Sequence, residues 1–336
     1  MRLQNCILDI DRVAVPTSML SSSPEQDWID ARNSELIPPS LFTLYCRADY
    51  LSFGSAPGFF ADSQNILFSY FAMLLRSLKD LLIEAQELVA EFSKEQAQTY
   101  DIGKRVRGES WDAGASTRAR RAFKYLMVSL SGTLDSLADL VALFFTGRIP
   151  RLRLGRAEFV RLEDWLQKPL VSSGLITTPY EHYLQALYDV LQPLVLADTP
   201  EHDWLSLMRL FRNKAAHMGD YMFQYTALHD EHGYFYTFLP RQWPYIPQKY
   251  MAFADASSTT PQIENRVLFE RTLVHEDIIA YTQGLRLKVY AVVASTIDVI
   301  TSAYEHFKNF PVNQAALAEL EGSTLAYDFQ YFRDSQ

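Results

Sequence analysis

Apolar residues recur at intervals of three and four over several long stretches of the chain, the spacing of a helix with one buried face. This periodicity predicts helices over residues 64–95, 117–145, 180–196, 202–218 and 275–308. These segments are long and strongly periodic, so they dominate the expected architecture. The pattern therefore predicts a mainly α fold, a helical bundle.

Alternating and turn-punctuated segments predict a smaller β component. Residues 6–15 and 41–53 favour strands, and the Ser- and Pro-containing residues 21–39 between them favour a loop. Two alternating runs around a polar turn predict a β-hairpin at residues 221–240. The sequence thus predicts a small β appendage on the bundle, made of the N-terminal strands and this hairpin.

The change of periodicity near residue 62 suggests two parts. Residues 1–62 are expected to be a mixed segment with strands, packed on a helical domain formed by residues 63–336. The chain shows no internal repeat and no evident interdomain linker.

The composition agrees with a globular protein, with 48% hydrophobic and 21% charged residues. Cys6 and Cys46 are the only cysteines in the sequence, too few for a disulfide framework or a clustered zinc site. Acidic residues interrupt both the N-terminal segment and the apolar stretch 126–145, where Asp135 and Asp139 occur. We therefore expect no signal peptide, no membrane span and a cytoplasmic location.

Charge is unevenly distributed along the chain. The net charge is −9, yet residues 104–161 contain twelve Lys or Arg against five Asp or Glu, a local net of +7 that leaves −16 on the rest. A basic group at the start of the second long helix stands where the helix dipole disfavours cations, which suggests an anionic partner. The predicted RNA-binding residues are these four: Arg118, Arg120, Arg121 and Lys124. The alternative interpretation is a set of solvated helix ends and loops.

The helix predicted at 202–218 has a distinct polar side. At 100° per residue its apolar side chains share one arc, which is expected to face the core. That arc contains Trp204, Leu207, Met208, Phe211, Ala215 and Met218. Asn213 and His217 lie one turn apart on the opposite side, and Arg212 lies about 100° from Asn213, within reach of a long guanidinium. The helical spacing therefore predicts that the side chains of Arg212, Asn213 and His217 point away from the core against which their helix packs.

The segment Arg212-Asn213-x-x-x-His217, set near the end of a bundle helix, resembles the signature of the HEPN superfamily. The resemblance implies a HEPN-like bundle of four or five helices that dimerises through the motif helix. Many members of that family are metal-independent endoribonucleases in toxin–antitoxin, abortive-infection and CRISPR-associated systems. The resemblance covers the motif and its helical surroundings, and it does not extend to the N-terminal strands or the hairpin.

These residue types suit RNA cleavage, because RNA carries its own nucleophile, the ribose 2′-OH. His217 can transfer a proton near neutral pH, and Arg212 can stabilise the charge that develops on the phosphorane. Asn213 can hold the imidazole or the substrate by hydrogen bonds. No metal or other cofactor is expected, whereas a homodimer would supply an acid and a base from two copies of His217. RNA and an antitoxin or other regulatory partner are the expected partners, without a membrane.

The sequence is also compatible with other interpretations. The protein could be a catalytically silent HEPN-like module that binds RNA or a nucleotide, or a helical dimeric interaction protein in which the motif has no chemical role. His229 and His232 in the predicted hairpin turn could bind a metal, but polar residues are common in turns.

Overall fold

The computed structural model describes most of the helical part of the chain. The described residues are 26–53, 62–100, 114–145, 148–155, 157–168, 179–196, 204–205, 208–209, 211–212, 225–228, 235–238 and 278–306. Within them the protein is mainly α-helical, as the periodicity predicts.

The described residues form seven helices and two short strands. The helices are α1 Gln26–Asn33, α2 Pro39–Phe53, α3 Asp62–Tyr100, α4 Ala115–Phe145, α5 Phe159–Leu166, α6 Pro179–Val195 and α7 Ile278–His306. The strands β1 Tyr225–Leu228 and β2 Phe235–Phe238 pair antiparallel, with Tyr225 opposite Phe238 and Leu228 opposite Phe235. Both strands lie inside the segment predicted as a hairpin.

The chain divides into two compact units. Unit 1 comprises Met1–Glu84, Gly132–His202 and Lys288–Gln336, and unit 2 comprises Ala85–Ser131 and Asp203–Leu287. Three of the four boundaries fall inside α3, α4 and α7, so each of these long helices contributes residues to both units. The boundary predicted between residues 62 and 63 stays a prediction.

Unit 1 has an aromatic and cationic cluster where α1 and α2 pack on α3. The rings of Trp28 and Tyr45 are stacked, with centroids 3.8 Å apart and planes 6° apart. Lys79 forms an ion pair with Asp27 and lies 5.3 Å from the centroid of the Trp28 ring, while Arg76 donates a hydrogen bond to the Tyr45 hydroxyl at 3.0 Å. The contacts of this cluster hold α1 and α2 against α3.

Elsewhere in unit 1, the three long helices meet around Phe71. Its ring contacts Phe144 edge-on at 5.7 Å and Tyr304 at 6.0 Å between centroids. Ser77 and Ser136 share a hydrogen bond of 3.3 Å further along the same pair of helices. Since 71 pairs with 144 and 77 with 136, α3 and α4 run antiparallel in this unit.

Two local predictions for the N-terminal region are wrong. Residues 41–53, expected to be a strand, belong to α2, and the expected loop 21–39 contains α1. In α2 the buried positions Leu41, Phe42, Leu44 and Tyr45 follow a helical spacing, and Pro39 occupies the first helical position, which proline favours. The aromatic residues in this segment are typical of strands, but the segment forms a helix because its buried side chains pack against α3. The strand predicted at 6–15 lies outside the described residues.

Two described helices are long and apolar enough to cross a membrane, by length and composition alone. They are Thr117–Phe145 and Ile278–Tyr304, and 72% and 50% of their apolar windows are buried within the protein. A core helix of a soluble protein passes the same test, so this finding leaves the expected cytoplasmic location a prediction.

Candidate functional site

The residues before the Arg-Asn-x-x-x-His motif are helical wherever the structure describes them. Residues 204–205, 208–209 and 211–212 all have α-helical backbone. Trp204, Met208 and Phe211 are buried, which confirms this part of the predicted core-facing arc. Asn213 and His217 lie outside the described residues, so their predicted position on the opposite side stays a prediction.

Phe211 anchors the motif segment in the core of unit 2. Its ring contacts Phe123 edge-on at 5.7 Å and Tyr281 at 6.4 Å between centroids, and Phe123 in turn contacts Phe92 at 5.6 Å. A row of four aromatic rings therefore joins α3, α4, the motif segment and α7. Because Phe211 immediately precedes Arg212, this row fixes where the motif begins.

Arg212 lies at the border of the buried face and is half-buried. Leu205, seven residues earlier and hence on nearly the same side of a helix, is only 2% exposed. Arg212 also interacts with another group of the protein. Arg212 is therefore neither a core residue nor a fully solvent-exposed one.

The four basic residues predicted to bind RNA lie on the first turns of α4, in the same unit as Arg212. Arg121 is exposed, whereas Arg120 and Lys124 are half-buried. The rings of Phe123 and Phe211 are in contact, and in the chain Lys124 follows Phe123 and Arg212 follows Phe211. The structure therefore brings the basic helix and the start of the motif together, and their binding of RNA stays a prediction.

The guanidinium of Arg118 binds an acid on α3. Nε and Nη2 of Arg118 lie 2.9 and 2.8 Å from the same carboxylate oxygen of Glu95. The Glu95 side chain is only 9% exposed, and the Arg118 side chain is 41% exposed. A nearly buried carboxylate requires such a partner, so Arg118 has a structural role that its sequence position does not reveal.

α4 has an exposed aromatic residue that the apolar periodicity does not single out. Tyr125 is 51% exposed and lies one turn beyond Arg121 on the same side of the helix, with the 44% exposed Val128 following. A tyrosine next to cations can stack on an unpaired base. Its sequence signal is an aromatic residue out of phase with the buried positions Phe123, Leu126 and Met127.

Asp135 and Asp139 are not merely charges on a polar helix face. Asp139 Oδ1 accepts hydrogen bonds from the backbone N–H groups of Gly155 and Ala157, at 2.9 and 3.1 Å. Asp135 Oδ1 accepts one from the N–H of Phe159 at 3.0 Å. The two carboxylates thus hold the connector between α4 and α5. In the sequence, this role is indicated only by the occurrence of two acids one turn apart inside an otherwise apolar stretch.

Burial governs the protonation of Asp139 and of its neighbour Tyr70. Desolvation raises the pKa of the Asp139 carboxyl to about 6, although the two N–H donors lower it and the charge of Asp135 raises it further. Burial, together with the charge of Asp139, raises the pKa of the Tyr70 hydroxyl well above its ordinary value. Tyr70 therefore stays neutral at physiological pH.

The part of the chain that the structure describes contains no group of three or more His, Cys, Asp or Glu side chains arranged to hold a metal ion. His229 and His232 lie outside that part.

Comparison of the chain with protein-family models, with curated proteins and with solved structures finds no match. The HEPN resemblance therefore rests on the motif residues and their helical setting alone.

Proposed function

We propose that this protein is a metal-independent endoribonuclease of HEPN type, built on a HEPN-like helical bundle with a small β appendage. The observation that carries the proposal is the contact of Phe211 with Phe123, which joins the start of the motif to the basic helix α4. Arg212 and Lys124 directly follow these two phenylalanines in the chain, and the proposal places the motif arginine and the cations of α4 on one surface of unit 2.

In the proposed reaction the ribose 2′-OH attacks the adjacent phosphorus and the 5′-oxygen of the next nucleotide leaves. One His217 accepts the proton of the 2′-OH, and a second His217 from the partner copy protonates the leaving oxygen. Arg212 stabilises the dianionic phosphorane, and Asn213 positions an imidazole or the substrate. The products carry a 2′,3′-cyclic phosphate and a 5′-hydroxyl, which balances the reaction without water or metal.

The biological setting that suits such an enzyme is a cytoplasmic toxin or phage-defence effector whose activity an antitoxin restrains. RNA cleavage by a homodimer needs two motif helices facing each other across a two-fold axis. A protein that stays monomeric at micromolar concentration, measured by light scattering, would contradict this two-histidine mechanism.

The test is cleavage of a 5′-labelled RNA in EDTA by the wild type and by His217→Ala, Arg212→Ala and Arg212→Lys. We expect His217→Ala to lose at least about a hundredfold in rate. Arg212→Lys should recover only part of the loss of Arg212→Ala, because an ammonium cannot bind a phosphate bidentately. Cleavage of RNA with 2′-O-methyl groups should be absent, since the nucleophile is blocked.

The matched control is His182→Ala, which removes an exposed histidine from α6 and should cleave at the wild-type rate. Equal cleavage by wild type and His217→Ala would identify a contaminating nuclease and refute the proposal.

A catalytically silent RNA-binding protein is the second candidate. The exposed side chains of Arg121 and Tyr125, one turn apart on α4, favour it because they combine a phosphate contact with a stacking surface. It predicts salt-sensitive RNA binding with the RNA recovered intact.

A further inference from the structure

A second arginine-rich surface occurs in unit 1, in the connector between α4 and α5. We call residues 148–154 the arginine loop. Its side chains alternate between solvent and core: Arg148, Arg151 and Arg153 are exposed, whereas the three branched apolar residues among them are buried. These buried residues are Ile149, Leu152 and Leu154.

The backbone of the arginine loop is held at both ends. The N–H of Arg148 donates to the carbonyl of Phe145 at 3.0 Å, and the N–H of Gly155 donates to Asp139 at 2.9 Å. Asp135 and Asp139 together accept hydrogen bonds from three backbone N–H groups just after the loop, those of Gly155, Ala157 and Phe159. A loop fixed in this way loses little conformational entropy when a ligand binds to it.

One residue of the loop has an unfavourable backbone conformation. Arg151 has φ 65°, in the left-handed region that glycine adopts readily and other residues rarely do. Four residues later the backbone adopts the same conformation at Gly155, with φ 72°, and there the residue is a glycine. An arginine at position 151 in place of glycine indicates that its side chain has a role that outweighs the backbone cost.

We propose that the arginine loop is a binding site for the phosphate backbone of single-stranded RNA. Neither Arg151 nor Arg153 has an ion-pair or hydrogen-bond partner among the residues that the structure describes. All three exposed cations are guanidinium groups, which bind phosphate oxygens bidentately, and the loop contains no lysine. The choice of RNA as the polyanion rests on the proposed function, but binding at the loop does not require that the motif cleaves.

The composition of the arginine loop favours RNA over an anionic membrane surface. Proteins that bind membrane surfaces combine cations with apolar side chains that enter the lipid. Here Ile149, Leu152 and Leu154 are buried, and Pro150 is the one exposed apolar residue of the loop, so the loop offers no large apolar side chain for insertion into lipid. A polyanion that needs no apolar insertion fits this surface.

The test measures fluorescence anisotropy of a labelled 2′-O-methyl RNA of about 20 nucleotides, which cannot be cleaved by 2′-OH attack. The variant is Arg151→Gly/Arg153→Gln. Glycine suits the backbone at position 151, so this variant should unfold at the wild-type temperature or above. The matched control is Lys94→Gln/Lys288→Gln, which neutralises two exposed cations elsewhere.

We expect the Kd of the arginine-loop variant to rise about tenfold at 0.1 M salt, with a less steep salt dependence. The magnitude of the slope of log K against log salt should fall by about 1.4 for two lost phosphate contacts on a single strand. The control should stay within about twofold of the wild type, because its lysines lie outside the proposed site.

Three outcomes would overturn the proposal: no RNA binding by the wild type at low salt, unchanged binding by the loop variant, or an equal loss in the lysine control. Loss of binding to phosphatidylserine vesicles with unchanged RNA binding would also refute it and assign the arginine loop to membranes. A separate cleavage assay on unmodified RNA keeps the two proposals apart. If the loop variant alone loses RNA binding and the wild type does not cleave RNA, the arginine-loop site is supported and the nuclease proposal is refuted. If the wild type cleaves RNA and the loop variant binds it as tightly as the wild type does, the nuclease proposal is supported and the arginine-loop site is refuted.

Discussion

The guanidinium of Arg118 binds one carboxylate oxygen of the nearly buried Glu95 through both Nε and Nη2, at 2.9 and 2.8 Å. This pair links α3 to the basic start of α4 within unit 2. Arg118 is thus one of the four cations at the start of α4 and also stabilises the fold.

Removing Arg118 should therefore affect stability. Arg118→Ala leaves Glu95 without the cation that offsets its burial, and we expect the free energy of unfolding to fall by about 2 kcal/mol. Urea denaturation measures this loss. Arg121→Ala, which removes an exposed cation three residues later, should change stability by less than about 0.5 kcal/mol. Equal effects of the two substitutions would show that the ion pair does not stabilise the fold.

The carboxyl of Asp139 should make the protein less stable as pH rises. Burial raises its pKa in the folded protein from 3.8 to about 6, so the folded state binds the proton more tightly than the unfolded chain does. The free energy of unfolding contributed by this group therefore falls between pH 3.8 and about 6 and stays low above that range. Asp139→Asn should remove this fall, measured as the urea midpoint at pH 5 and pH 7. A variant with an unchanged slope would contradict the assignment.

Asp27 should show the opposite dependence. The hydrogen bond from Lys79 holds the pKa of the Asp27 carboxyl below its ordinary value, although burial opposes this shift. Its contribution to stability is therefore present above the unfolded pKa and lost as the pH falls through the lower, folded value. Asp27→Asn should lower the urea midpoint at pH 7 and have little effect in strong acid. A loss of the same size at both pH values would show that the effect is not electrostatic.

Phe211 should be among the most sensitive positions of unit 2. It is 6% exposed and contacts both Phe123 and Tyr281, so Phe211→Ala is expected to cost roughly 3 kcal/mol in thermal or urea unfolding. Tyr125→Ala is the control, because Tyr125 is 51% exposed and its loss leaves no cavity. A Phe211→Ala variant as stable as the control would show that the aromatic row does not anchor the motif segment.

Two glycines should respond to alanine in opposite directions. A Cβ at Gly284, inside α7, would meet nothing within 4 Å, so Gly284→Ala should stabilise the protein by about 0.5–1 kcal/mol. Gly155 has φ 72°, and Gly155→Ala should therefore destabilise it, by about 1 kcal/mol. The unfolding temperatures of the two variants should lie on either side of the wild-type value. A decrease for Gly284→Ala would indicate that this side of α7 is covered.

The positions of the long helices could be predicted because their apolar residues repeat over many turns. Residues 64–95, 117–145 and 275–308 were predicted, and the helices run over Asp62–Tyr100, Ala115–Phe145 and Ile278–His306. The shorter segments were harder, since eight to fifteen residues contain too few turns to separate a helix from a strand, as residues 41–53 show. The apolar pattern does not predict the short helix α5.

For the candidate site, the sequence determined the residue types and their spacing, because Arg212, Asn213 and His217 are defined by the chain itself. It also determined that Trp204, Met208 and Phe211 would face a core, since that follows from helical periodicity. Only the tertiary structure decided that Arg118 forms an ion pair with Glu95. The same holds for the hydrogen bonds of Asp135 and Asp139 to the backbone around Gly155, and for the contact between the rings of Phe211 and Phe123. These contacts join residues far apart in the sequence, and a local pattern contains no information about which distant surfaces come together.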